Sequence, residues 1–239
     1  MEYPHISILT PTYNRNHFIS LMVSNLVKFD YPKEKLEWCI DDDGTDKLFK
    51  SEDEVKFIQA MISPINIRYW YNPKRRSIGE KRNNLVKKCS HKIVAMMDTD
   101  DLYMSPYLKK SIEIMKKEKS SLCGSNQMIF CYPHHNFKIT AIKCGAKRQI
   151  HEATMVFTKK HWRAMGGFEK NSQGEGAKMV DFHSENKISL TQIVDCLCCI
   201  AHKQNTVDKE QFKEASDITD DVVFNPNDVQ LIKSILKID

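Results

Sequence analysis

The stretch Lys92–Asp101, KIVAMMDTDD, constrains this chain more than any other. Apolar residues from Ile93 to Met97 stop abruptly at Asp98-Thr99-Asp100-Asp101. So short a run between polar residues predicts a buried strand rather than a helix. Strands of that kind belong to parallel sheets covered on both faces. Carboxylates crowded at the mouth of such a strand repel one another and resist desolvation. A divalent cation relieves both costs, and oxygen ligands suit Mg²⁺ or Mn²⁺ rather than zinc. The competing account is a set of solvated loop acids starting the next helix, where carboxylates are favoured.

Upstream, the same alternation recurs. His5 to Leu9 is an apolar run ending at Thr10-Pro11-Thr12-Tyr13-Asn14-Arg15, where Pro11 and Asn14 mark a turn. Phe18, Leu21, Met22, Asn25 and Leu26 then give a mostly apolar helical face. Leu36 to Ile40 predicts a second strand, closed by the acids Asp41, Asp42 and Asp43 before Gly44. A solvated Asp-Gly turn would explain that cluster alone. Two acid clusters after two apolar runs are harder to explain separately. A helix over Glu52–Met61 and a strand over Ile65–Tyr71 follow, the latter rich in β-formers. The cations Lys74, Arg75 and Arg76 come next, and Gly79 opens a helix carrying Arg82. Glycine and cations at a helix start suit a phosphate-bearing ligand. Ser105 and Pro106 predict the cap and first turn of a further helix.

Strands alternating with helices predict an α/β fold with a doubly wound, mostly parallel sheet. Such sheets bind ligands along the edge formed by the strands' C-termini. The loops at Pro11–Arg15, Asp41–Asp46 and Asp98–Asp101 therefore converge. Neither a GxGxxG fingerprint nor a GxxxxGK[ST] loop is present in the sequence.

After Leu122 the pattern shifts. Leu122–Tyr132, Phe137–Ile142 and Thr154–Thr158 predict strands, and Lys159–Met165 a short helix broken by Gly166-Gly167. Glu175 sits between Gly174 and Gly176, on backbone that a ligand can approach closely. His202 ends a cysteine-rich apolar piece, and Asn225-Pro226 starts a last helix.

The 239 residues suffice for a full core, and the net charge of +5 is compatible with anionic small molecules and with nucleic acid alike. Eight cysteines without a second CxxC predict free buried thiols in a reducing compartment rather than a zinc site. No apolar run reaches the length of a membrane span. The expectation is a soluble, cytoplasmic protein without a secretory leader.

In order, these motifs resemble the GT-A nucleotide-sugar glycosyltransferases, specifically the inverting family 2. Ser7–Arg15 is similar to that family's opening strand and loop, and Ile40–Asp46 to its VDDGSTD segment, with Asp41 replacing an apolar residue. Gly79–Asn83 resembles its G-x-x-x-RN helix start one residue shorter, Asp98–Asp100 its DxD motif, and Gly166–Glu169 its GGFDE turn. The resemblance implies a Rossmann-like sheet flanked by helices with a smaller acceptor-side region. It divides one continuous domain into a nucleotide-sugar half, residues 1–121, and an acceptor half, residues 122–239. It places Pro11, Thr12, Tyr13 and Arg15 near the nucleoside, and Asp42 or Asp43 on uracil. Gly79 and Arg82 fall near the nucleotide, and Asp98 and Thr99 near the ribose. Asp100 falls on Mn²⁺ or Mg²⁺, with His202 as a late second ligand. The family's acidic Glu-Asp pair, whose aspartate is commonly the base, is matched here by Glu175-Gly176, so Glu175 becomes the base candidate. The implied reaction moves a sugar from a UDP-sugar to a glycan, protein or small-molecule hydroxyl, with inversion. Three other readings compete: a sugar nucleotidyltransferase, a binding module that has lost its base, and a nucleic-acid binder using Tyr69-Trp70-Tyr71 beside Lys74–Arg76. Acids crowding the predicted site edge oppose the last, so nucleic acid is not expected as a partner.

Overall fold

The computed structural model describes residues 2–215 and 224–238. The first half runs β1 (Ile6–Thr12), α1 (Ile19–Lys28), β2 (Leu36–Asp42), α2 (Glu52–Ile62), β3 (Asn66–Tyr71), α3 (Ile78–Lys88) and β4 (Ile93–Met96). Then come β5 (Asp101–Tyr103), α4 (Tyr107–Glu118), β6 (Leu122–Gly124), β7 (Gln127–Tyr132), β8 (Lys138–Lys143) and β9 (Val156–Thr158). The chain ends with α5 (Lys159–Ala164), β10 (Ile188–Leu190), β11 (Leu197–Ile200) and α6 (Pro226–Leu236).

The main sheet has the order β10-β6-β9-β4-β1-β2-β3. β1 pairs in parallel with β2 and β4, and β2 with β3. β9 alone in this sheet runs antiparallel, between β4 and β6. Three strands from the second half therefore complete the sheet begun in the first. A second sheet, β5-β11-β7-β8, stands beside it. The mostly parallel main sheet explains the unbroken burial of β2, whose every residue is buried. Trp38 is fully buried there, its indole N–H donating to Thr10 Oγ1 at 2.9 Å.

Four local readings of the sequence change. β1 extends through Thr12, because Pro11 and Thr12 continue the register with Asp41 and Asp42. Pairing to β4 ends at Leu9, so Pro11 lies where one side of β1 is free and its missing donor is not needed. Ser105 is not the cap of α4: Pro106 takes that position, and Ser105 Oγ donates instead to Lys28 O at 2.7 Å. The span Leu122–Tyr132 is two strands in different sheets rather than one. Ser125 turns the chain between them, its amide donating to Thr154 Oγ1 at 2.8 Å. Asp101, expected to close the loop Asp98–Asp101, instead opens the short strand β5, pinned by buried Asn25. That side chain donates to Asp101 O and accepts from Tyr103 N, at 2.9 and 3.0 Å. The thiols are free, as expected; Cys144 is half-buried and the others are buried.

Candidate active site

The C-terminal end of β1 and the turn after β4 open onto one cavity of about 470 Å³. Pro11, Thr12, Tyr13, Arg15, Asp98, Thr99 and Asp100 all line it, so two of the three sequence-predicted loops converge there, whereas Asp41–Asp46 does not line it. Arg75, Arg76 and Lys81 supply its cationic wall. A second cavity of about 250 Å³ adjoins, sharing Asp98 and Asp100 and adding Arg82, Asp101, Glu152, Glu175 and Lys209.

The turn after β4 is held from below. Tyr103 is fully buried; its hydroxyl accepts from the Asp98 amide and donates to Ala153 O, each at 2.9 Å. Asp98 meets Arg82 Nη2 at 3.1 and 3.2 Å. Burial pushes the Asp98 carboxyl up, Arg82 pulls it down, Asp100 pushes it further up, and the net direction is upward. Asp100 goes the other way. Burial raises it, but the hydrogen bond and charge of His202 and the charge of Arg15 outweigh burial and leave it lowered. His202 Nε2 stands 3.0 Å from Asp100 Oδ2, with Arg15 Nε at 3.5 Å from the same oxygen. Asn205 braces His202 by accepting from its amide at 2.7 Å and by reaching Nε2 at 2.9 Å.

Asp100 and His202 thus form an adjacent carboxylate–imidazole pair, in which Asp100 lines both cavities and His202 stands behind it, its side chain buried and lining neither. Among the described residues no group of three or more His, Cys, Asp or Glu is placed to hold a metal. Two protein donors still fit Mg²⁺ or Mn²⁺, which keep waters and substrate phosphates as their other ligands. The imidazole nitrogen favours Mn²⁺ over Mg²⁺.

At the other end, the Arg75 guanidinium lies over the Tyr13 ring, 4.3 Å from its centroid. Thr12 Oγ1 is buried without a hydrogen-bond partner among the described residues. Orphaned donors also mark Arg82: Nη1 has no partner, and Nε stands 3.1 Å from Glu175 Oε1 but out of line for a hydrogen bond. Burial opposes the charge on Arg82, yet Asp98, Glu175 and Glu152 overcome it and drive its pKa upward. Buried polar atoms left unpaired cost stability, so a ligand that satisfies them binds with advantage.

Asp42, Asp43 and Gly79 do not line either cavity. Asp42 is fully buried, its carboxylate accepting from the amides of Gly44 and Leu48 at 2.8 Å and from Tyr69 OH at 2.7 Å. It holds the loop together from a fully buried position. Asp43 accepts from Lys81 Nζ at 2.7 Å and from the Arg76 amide at 2.6 Å. The Gly79 amide donates to Asn171 O at 2.9 Å rather than to the cavity. An added Cβ there would fall 1.7 Å from Glu169 O, so the glycine permits close packing of α3 on the turn after Phe168. Lys81, not among the site residues predicted from the sequence, is 3% exposed and ties Asp43 to Thr12 O at 2.8 Å. Its place beside Arg82 in GEKRN was the available signal.

A mostly parallel sheet in this strand order, with a cavity at the C-terminal edge of its strands, is the GT-A class of fold. The chain belongs to glycosyl transferase family 2, whose model matches residues 7–197. Among curated relatives, it is 29% identical over 124 residues to the Escherichia coli UDP-Glc:alpha-D-GlcNAc-diphosphoundecaprenol beta-1,3-glucosyltransferase WfgD, covering 52% of this chain and 46% of that one. It is 30% identical over 128 residues to a Methanococcus voltae dolichyl N-acetyl-alpha-D-glucosaminyl phosphate glycosyltransferase acting with a 2,3-diacetamido-2,3-dideoxy-glucuronosyl group, covering 52% and 39%. The matched segment therefore spans less than half of either relative. S. aureus TarS in complex with UDP-GlcNAc superposes with a TM-score of 0.64 at 16% identity, over 97% of this chain and 65% of that one. Mannosyltransferase PcManGT from Pyrobaculum calidifontis, in complex with GDP-Man and Mn²⁺, gives 0.64 at 17% identity, over 85% and 59%. At those identities the superpositions establish the shared fold.

Proposed function

We propose that this chain moves a sugar from a UDP-sugar to an acceptor hydroxyl, with inversion at the anomeric carbon. The observation that carries this reading is the shared position of Asp98 and Asp100. They border both cavities, one edged by Tyr13 and Arg75 and the other by Arg82, Glu152 and Glu175. Tyr13 and Arg75 offer a stacking face for a nucleobase, and Thr12 Oγ1 an unpaired hydroxyl to hydrogen-bond it. Arg75, Arg76 and Lys81 surround the diphosphate with positive charge. Asp100 and His202 hold a divalent cation, which when bound stabilises the charge that develops on the departing nucleoside diphosphate.

The acceptor hydroxyl attacks the anomeric carbon in line with the departing diphosphate and on the opposite face, so an α-linked donor gives a β-linked product. The hydroxyl is a poor nucleophile and needs a base within hydrogen-bond reach. Glu175, the sequence candidate, borders the second cavity at 4% exposure. Burial raises its pKa, Arg82 draws it back, and the net direction is upward. Its carboxylate nonetheless faces Arg82, which suits it to holding that guanidinium in place.

The test is UDP release from UDP-glucose and UDP-GlcNAc in the presence and absence of Mn²⁺. Asp100→Ala should lower metal-dependent release by about 100-fold or more, the scale of a lost charge-stabilising contact. Full activity in that variant would remove the metal from the reading.

A further inference from the structure

Glu152 lies outside every motif that the sequence singles out, on the turn that leads into β9. That turn is firmly built: Thr154 N donates to His151 O at 3.0 Å, and Thr154 Oγ1 donates to the same carbonyl at 2.7 Å. The Glu152 carboxylate reaches across to Gly176, accepting from its amide at 3.1 Å. An ideal Cβ on Gly176 would stand 2.5 Å from Glu152 Cγ and 3.0 Å from its Oε1. Glu152 therefore fills the volume that a side chain at position 176 would take.

Its surroundings suit a proton acceptor. Glu152 borders the second cavity together with Asp98 and Glu175. Both neighbours are committed to Arg82, Asp98 through Nη2 and Glu175 through Nε, each at 3.1 Å. Among the described residues Glu152 enters no ion-pair contact, and it meets Arg82 only through the longer-range pull of its charge. It is also half-buried where Glu175 is buried, which leaves a route for the proton to solvent after each turnover.

We infer that Glu152 is the general base of the transfer, delivered into the space beside Gly176 from a different segment of the chain. The assignment rests on the glycosyl-transfer reading above. The Glu152 carboxylate takes the proton of the acceptor hydroxyl while that oxygen bonds to the anomeric carbon of the nucleoside diphosphate sugar. The bond from that carbon to the diphosphate oxygen breaks, and its electron pair leaves on the diphosphate. Glu152, now the neutral acid, returns its proton to water. Glu175 acts in this scheme as a positioning residue for Arg82.

Water serves as the acceptor in the test, with the full chain, Mn²⁺, and UDP-glucose and UDP-GlcNAc as donors. Glu152→Gln keeps the shape of the side chain and its hydrogen bond to Gly176. It should lower UDP release by about 100-fold or more, the scale of a lost general base, with UDP affinity unchanged. A second comparison moves the carboxylate. Glu152→Ala combined with Gly176→Asp returns an acid to the same volume from the other side. That double variant should release UDP about tenfold or more faster than Glu152→Ala alone, recovering part of the base contribution. Wild-type rates in Glu152→Gln would overturn the assignment and leave the glycosyltransferase reading standing. Loss of UDP binding together with turnover would make Glu152 a structural prop and overturn it too. A wild-type chain that binds UDP but releases none from either donor would refute a working base at this position. A chain that binds no UDP would sink the underlying reading and the assignment with it.

Discussion

Asp42 and Asp43 adjoin in sequence, and their oxygens are spent on different partners: one closes its own loop, the other anchors Lys81 and the Arg76 backbone. A sequence shows that carboxylates follow a strand, but not which donors will reach them, so their assignment to the base could not be settled there. Asp98 and Asp100 were legible for a simpler reason: the apolar run before them ends where the sheet ends. Glu152 was illegible, because its meaning comes from Gly176, which the turn after Phe168 brings alongside it. Glu37 illustrates the same dependence on partners and yields a pH prediction. It is 4% exposed in β2 and accepts from Ser7 Oγ and Ser90 N at 2.5 Å and from Ser90 Oγ at 2.9 Å. Burial pushes its carboxyl up, the Ser7 and Ser90 hydrogen bonds outweigh burial, and its pKa lies below the ordinary value. A depressed folded pKa contributes stability above the unfolded value of about 4.3. That contribution is lost as pH falls through the folded value. Glu37→Gln should cost about 1–3 kcal/mol at neutral pH, the scale of disturbing buried hydrogen bonds. It should also flatten the loss of stability on acidification. Urea denaturation of both proteins at neutral pH and near pH 4 checks this; parallel acid losses would refute it.

At the scale of elements, α3 links the loop after β2, the turn after β4 and the turn at Phe168. Ser77 Oγ accepts from the Glu80 amide at 3.2 Å while Glu80 Oε2 accepts from the Ser77 amide at 2.9 Å, a reciprocal cap that S-x-x-E in the sequence signals. From that start the helix presents Lys81 to Asp43, Arg82 to Asp98, and Asn83 to Phe168. Its close seat depends on Gly79 against Glu169 O. Gly79→Ala should destabilise the fold by about 1–3 kcal/mol through overpacking against backbone. It should also weaken UDP binding, since Lys81 and Arg82 shift with the helix. Denaturation midpoint and UDP titration measure the two effects; an unchanged midpoint would mean the turn yields freely. Long periodic helices such as α2 were readable within a residue, because one apolar stripe sets them. The break between β6 and β7 is marked in the sequence by Gly124-Ser125-Asn126, but the change of sheet is not: it is fixed where Thr154 Oγ1 takes the Ser125 amide at 2.8 Å. Ser105 failed as a cap for a similar reason: Lys28 O competes for its hydroxyl and wins.

Over the whole molecule, the two sheets meet where Asp98–Asp101 crosses from β4 in one to β5 in the other. Alternation of strand and helix made the parallel first half legible. Strand order after β5 was not, because β9 inserts antiparallel between β4 and β6 from 60 residues away, and short strands carry little periodic signal. The crossing matters for linkage. His202 follows β11, which pairs antiparallel with β5, so the second sheet carries one member of the candidate cation pair and the Asp98–Asp100 turn carries the other. A cation and UDP bound between them would tie the sheets together and resist global unfolding. Saturating UDP at about 100 times its dissociation constant stabilises the native state by about 2.7 kcal/mol. For a chain of this length that raises the melting temperature by about 5–10 °C. With Mn²⁺ the full rise should appear. With a chelator it should shrink, and in His202→Ala it should lose its dependence on Mn²⁺ while the fold persists. Equal rises with Mn²⁺ and with chelator would show that UDP bridges the sheets without a cation, and Asp100 would then face His202 only as a hydrogen-bond partner.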